Sequence, residues 1–164
     1  MVWPTIKGWC RGGELVPVES VTSNDFASQL DMLSGIDAWQ VAEGLAGMRG
    51  IASRVQYGTS YDSFTVRTTL PSGADTELQK RQAALADPDA GWLYPALTVQ
   101  AYVKDGTLLT AAMVRTKDLI PLATQRLADG YQRPSPTREL FTWVPWEMFT
   151  AKQIHVYPPG LIAQ

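Results

Sequence analysis

The chain has 164 residues, 45 % of them hydrophobic and 18 % charged, a size and balance that suit one packed domain and exclude a disordered tail. A formal charge of -2 and a pI near 5.3 exclude a nonspecific polycation while leaving room for a local basic face. The single cysteine, Cys10, excludes an internal disulfide and a cysteine-rich zinc site, and no run of 18 apolar residues occurs, so a cytoplasmic chain with no membrane partner is expected.

Residues 1 to 21 carry Pro4, Gly12-Gly13 and Pro17, punctuation that predicts a loop or a short edge strand in place of a long helix. "TSNDFASQLDMLSG" follows, with Thr22, Ser23 or Asn24 as N-cap, Phe26, Ala27, Leu30 and Leu33 at helical spacing, and Gly35 as the stop. A strand from Ile36 to Ala42, a turn over Gly44 to Gly47, and a second strand from about Gly50 to Gln56 make a hairpin. "DSFTVRTTL" alternates Phe64, Val66 and Thr68 against Thr65, Arg67 and Thr69, the period of a third strand.

"SGADTELQKRQAALADPDAG" is rich in helix formers, with Asp75 or Thr76 as its cap and Pro88 and Gly91 beyond its end. "ALTVQAYV" and "LLTAAMVR" flank "KDGT", whose Asp105-Gly106 pair predicts a tight hairpin turn. Thr116 is placed to cap a helix through about Leu127 that tolerates Pro121 near its first turn, and Leu140 to Val144 returns as a strand. The order predicts an α/β fold with a central mixed β-sheet flanked by helices in one domain over 1–164, its core at about 23–127 and a C-terminal extension over 128–164.

The order of elements, with "GIDAW" at Gly35 to Trp39, "GIASRVQ" at Gly50 to Gln56 and "TELQKR" at Thr76 to Arg81, resembles the αβββαβ core of the PD-(D/E)XK, or restriction-endonuclease-like, superfamily across Ser23 to Leu127. The resemblance implies a metal-dependent nuclease or DNA-processing protein that hydrolyses phosphodiesters. Asp37 would be the first metal-binding acid. Two carboxylates suit Mg2+ or Mn2+, which polarises a phosphate and yields hydroxide near neutral pH. The chain departs from the family where the second acid and the lysine should stand, since Ala52, Ser53 and Arg54 occupy those positions. Arginine keeps the charge and loses the base chemistry. Either another acid replaces Ala52 or catalysis has been lost; Glu77 is the candidate replacement, with Lys80 to stabilise developing charge, and Glu77, Lys80 and Arg81 can share a helix face by their spacing.

Strand parity puts Ala52, Arg54 and Gln56 on one face. Arg54, Gln56 and Arg67, with Arg81, are the candidate contacts to the phosphates of a DNA or RNA partner. Asp31 is a further acid, read as a surface charge. His155, the sole histidine, lies in no triad motif and is read as a surface or packing residue, and no GxGxxG or Walker loop occurs. "WLYPALTVQAY" and "FTWVPWEMF" could pack internally or offer a homodimer surface. Two rivals to the nuclease stand beside it: a noncatalytic relative that binds nucleic acid or protein, and a self-associating structural protein.

Overall fold

The computed structural model describes residues 2–9, 14–18, 35–41, 48–87, 89 and 94–159. The helix expected to end at Gly35, Asp31, the turn over Gly44 to Gly47, Cys10 and Trp92 lie outside the described residues. The described elements run α1 (Val2–Trp9), β1 (Glu14–Pro17), β2 (Ala38–Val41), β3 (Met48–Tyr57), β4 (Ser63–Thr69), α2 (Glu77–Ala86), β5 (Leu97–Lys104), β6 (Thr107–Arg115), α3 (Thr116–Ala128), β7 (Arg133–Pro134), β8 (Leu140–Pro145), a 3-10 turn (Trp146–Met148) and β9 (Ile154–Tyr157). They form the expected α/β architecture: a six-stranded mixed sheet in the order β1-β2-β3-β5-β6-β9, with helices on its faces, and a three-stranded sheet in the order β4-β8-β7.

All pairings of the large sheet are antiparallel except β3 with β5, where Ile51 lies beside Leu97 and Tyr57 beside Val103. A parallel pair needs a long crossover, and β4 with α2 supplies it. The β5-β6 hairpin turns at Asp105 and Gly106, whose φ angles of 49° and 75° are the two left-handed residues that a tight turn requires. Gly50 serves a close approach: a Cβ there would come within 2.7 Å of the Ile36 side chain, so only glycine lets β3 pass beneath it.

The two faces of the large sheet follow strand parity. Ile51, Leu97, Val99 and Met113 face α1 and bury Ile6. Tyr102, Ala112 and Val114 face the other way, into a core completed by Phe64 and Val66 of β4, Leu78 of α2, Leu119, Ile120 and Ala123 of α3, and Val144 and Trp146. Aromatic edges and faces lock that core: Phe64 meets Phe149 edge-on at 5.5 Å and Trp146 at 6.1 Å. Burial raises the Tyr102 hydroxyl pKa against the opposing effect of Ser63, whose carbonyl accepts its hydrogen bond at 2.7 Å.

Several details depart from expectation. Residues 2–9 form a helix, because Pro4 sits in the first turn, where its missing N–H costs nothing; the edge strand appears at Glu14–Pro17. The third strand, β4, forms as expected but leaves the central sheet and pairs with β8. Arg115, not Thr116, is the N-cap of α3, and the Thr116 hydroxyl is instead 2.9 Å from that of Thr98. Pro121 lies inside α3 beyond the first turn, in a helix anchored by buried Leu119, Ile120 and Ala123. The C-terminal region adds β9 to the edge of the large sheet, and His155 stacks on Trp9 with centroids 6.2 Å apart, a packing role. Of the aromatic segments, Tyr102, Trp146 and Phe149 are spent on the chain's own core.

Among the described residues no helix is long and apolar enough to cross a membrane.

Candidate functional site

The site lies where β2 begins. Asp37 directly precedes β2, and its backbone joins β3 through N–H to the Ile51 carbonyl at 2.9 Å while its own carbonyl accepts from Val18 at 3.1 Å. The ladder between β2 and β3 stops at Ala38 opposite Ile51, which leaves the next outward N–H of β3, that of Ser53, without a strand partner. The Asp37 carboxylate takes that N–H through Oδ2. A charged acceptor on a backbone donor is a strong hydrogen bond, so Asp37 closes the sheet edge while facing a cavity.

The opposite wall is the first turn of α2. Thr76 caps it by a reciprocal box: Gln79 N–H reaches the Thr76 hydroxyl, and the Gln79 side chain accepts from Thr76 N–H at 2.8 Å. The box fixes Glu77 as the first helical residue, where the positive end of the helix favours a carboxylate. Arg81, four residues on, lies on the buried face with Leu78 and Ala84, and only 3 % of its side chain is exposed. Glu77 therefore meets two guanidinium groups: Oε1 lies 2.5 Å from Arg81 Nη1, and Oε2 accepts from Arg54 Nη2 at 2.8 Å. Burial pushes the Glu77 carboxyl up, but Arg81, Arg54 and Arg67 together outweigh it and hold the pKa below the usual carboxylate value. Burial draws Arg81 downward, as does Arg54, against the opposing pull of Glu77 and Asp37.

Between these walls lies a cavity of about 600 Å³. Asp37, Glu77, Lys80, Arg54, Arg67 and Arg81 all line it, so six of the seven residues singled out from sequence share one space. Gln56 does not line it; its side chain accepts from Gln100 Nε2 at 3.2 Å. Gln100, a buried amide in the middle of β5, also accepts from Thr65 through its Oε1, from N–H at 3.3 Å and from the hydroxyl at 3.1 Å, and so ties the two sheets together at the cavity. Sequence reading passed over Gln100, although a glutamine amid "LTVQAYV" was the available signal, since a buried amide must find partners.

Reading also missed Glu139 and Phe141, which no local pattern connects to the site. Glu139 pairs with Arg67 at 3.2 Å. The Phe141 ring lies under both Arg54 and Arg67, at 5.0 and 5.6 Å from their guanidinium carbons. Arg54 and Arg67 keep 26 % and 34 % of their side chains exposed, so both are reachable from solvent at the cavity mouth.

Four cationic and three acidic side chains line the cavity, with Glu139 just behind Arg67. The arrangement can orient an anion at its mouth. As arranged it fits Mg2+ or Mn2+ poorly, because both Glu77 oxygens face guanidinium groups and a cation there would meet Arg54 and Arg81 at close range. Among the described residues no three His, Cys, Asp or Glu side chains are grouped to hold a metal ion.

No family model, no curated protein and no solved structure matches this chain.

Proposed function

We propose that the protein is a noncatalytic nucleic-acid-binding module on a frame that resembles the restriction-endonuclease-like fold, taking a backbone phosphate of DNA or RNA between Arg54 and Arg67 above Phe141. The observation that carries this reading is the state of Glu77: its two oxygens serve as counter-ions to Arg81 and Arg54. An acid so used holds guanidinium groups in place, and the exposed edges of Arg54 and Arg67 offer planar donors that suit a phosphate. Lys80, which also lines the cavity, adds a further cation beside them. A lone cysteine suits the reducing cytoplasm as the setting.

A second reading, the Mg2+-dependent nuclease, draws on one observation: Asp37 and Glu77, 40 positions apart in the chain by their numbers, line the same cavity. It requires Glu77 to exchange its guanidinium partners for the ion.

Supercoiled, linear and single-stranded DNA, and RNA, incubated with the protein in EDTA, Mg2+ or Mn2+ separate the two. Binding in EDTA that falls steeply with salt, without cleavage in any buffer, supports the module. Cleavage that needs the metal and disappears in both Asp37→Ala and Glu77→Ala establishes the nuclease instead, and no binding to any of the substrates overturns both.

A further inference from the structure

The outer face of the small sheet carries a second set of arginines and rings that continues from the cavity mouth. Phe141 and Trp143 are two apart on β8, so their side chains leave the same face. Each is flanked by two guanidinium groups. Arg54 and Arg67 lie over Phe141, while Arg126 and Arg133 lie over Trp143 at 5.5 and 5.3 Å. Arg126 also covers Tyr131 at 3.3 Å and donates from Nε to the Trp143 carbonyl at 3.2 Å. Arg133 covers Tyr61 at 5.5 Å, and Tyr131 meets Trp143 edge-on at 5.8 Å. Tyr61 is 60 % exposed and Tyr131 42 %.

The two halves of this row differ in their counter-ions. Arg67 pairs with Glu139 and Arg54 with Glu77, whereas among the described residues no carboxylate forms an ion pair with Arg126 or Arg133. A guanidinium group fixed on aromatic rings, with no internal acid to neutralise it, keeps its charge for an outside anion. Exposed tyrosines beside it keep a flat apolar surface for a flat ligand. One polymer presents a phosphate and an unstacked aromatic base at every step, and it is a nucleic acid strand without its complement; a duplex keeps its bases within the stack.

We propose that the outer face of the three-stranded sheet binds single-stranded nucleic acid, with phosphates on Arg126 and Arg133 and bases stacked on the open faces of the exposed rings Tyr61 and Tyr131. The proposal rests on the nucleic-acid-binding reading above and adds the strandedness of the ligand and the residues that select it. Every base has a π-face, so stacking of this kind tolerates sequence and discriminates against duplex.

The test uses the full chain and fluorescein-labelled oligothymidylate, oligouridylate and a duplex, all of about 20 nucleotides, long enough to cover one binding site. Anisotropy in EDTA is expected to give affinity for single strands at least about fivefold above duplex, and Tyr61→Ala and Arg133→Ala are each expected to weaken single-strand binding by about fivefold or more. Tyr61→Phe, which keeps the ring, is expected to bind like the parent. Arg133→Ala should also lower the slope of log affinity against log salt by about one. Equal affinity for duplex, or parental single-strand binding by both alanine variants, overturns the proposal. If those variants bind normally while Arg67→Ala does not, the cavity-mouth reading survives and this one falls; if no oligonucleotide binds the parent, both fall. The oligothymidylate and oligouridylate arms report whether the strand is DNA or RNA.

Discussion

Arg54 Nη2 donates to Glu77 Oε2 at 2.8 Å, joining β3 to the first turn of α2 across 23 positions of the chain. The bond matters because the second partner of the same carboxylate, Arg81, sits on the buried face of the helix. Removing one member of a buried ion pair leaves the other desolvated and uncompensated. Glu77→Ala is therefore expected to lower the free energy of unfolding by about 3–5 kcal/mol in urea titrations. Adding Arg81→Met to that variant should recover much of the loss, since the stranded charge is then gone. Parental stability in Glu77→Ala would show that the pair contributes nothing.

Acid should probe the same contact. The Glu77 carboxyl is held below its ordinary pKa in the folded state, so the unfolded chain binds the proton more readily. Its contribution is present in full above the unfolded carboxyl value and is lost as pH falls through the folded one. Glu77→Gln, which cannot ionise, is expected to flatten the dependence of stability on pH over that acidic window. Identical slopes for Glu77→Gln and the parent below about pH 5 would contradict the assignment.

Asp37 has a structural task that is independent of any ligand. Its carboxylate takes the Ser53 N–H at the point where β2 stops covering β3. Asp37→Ala is expected to cost about 1–3 kcal/mol, the penalty of an unmade hydrogen bond, with Asp37→Asn, which keeps an acceptor oxygen, retaining more of the stability. Amide exchange at Ser53 is the direct readout: it should quicken in the alanine variant, and unchanged protection would argue against the contact.

The close passage of β3 beneath Ile36 gives a sharper packing test. A Cβ at Gly50 would meet Ile36 Cδ1 at 2.7 Å and Cγ1 at 2.9 Å, and Ile36 is itself only 1 % exposed. Gly50→Ala is expected to destabilise by about 1–3 kcal/mol, as overpacking does, and Ile36→Val in the same chain should relieve part of it. Thermal unfolding of the parent and these two variants decides between that outcome and a neutral substitution.

Much of this arrangement could be read from local chemistry, and the exceptions have physical causes. Period-two alternation in "DSFTVRTTL" revealed β4, yet alternation only says that a strand has two unlike faces, so the sequence could not assign that strand to one sheet or another. The Asp105-Gly106 turn was legible because few residue pairs adopt two positive φ angles. The cap of α2 was legible as Asp75 or Thr76, and the reciprocal bonds with Gln79 select Thr76, which makes Glu77 the first helical residue. Arg81 was read as one of three charges on a shared helix face, but not as a core residue, because a helix face rich in polar residues normally faces water. The partners Glu139 and Phe141 lie on or beside β8, more than 50 residues from Arg67 and Arg54 by number, and only tertiary pairing of β4 with β8 brings them to the site. The helix at Val2–Trp9 was hidden by a proline that a first turn accommodates.

The most direct measurement is the binding isotherm of one labelled single strand, recorded in EDTA and again in Mn2+, for the parent, Arg67→Ala and Asp37→Ala. If Glu77 is a counter-ion and the exposed guanidinium groups hold the phosphate, the parent should bind equally well in both buffers, Arg67→Ala should weaken binding in both, and the strand should stay intact. Binding or cleavage that appears only with Mn2+ and vanishes in Asp37→Ala would contradict that assignment and return the cavity to metal chemistry.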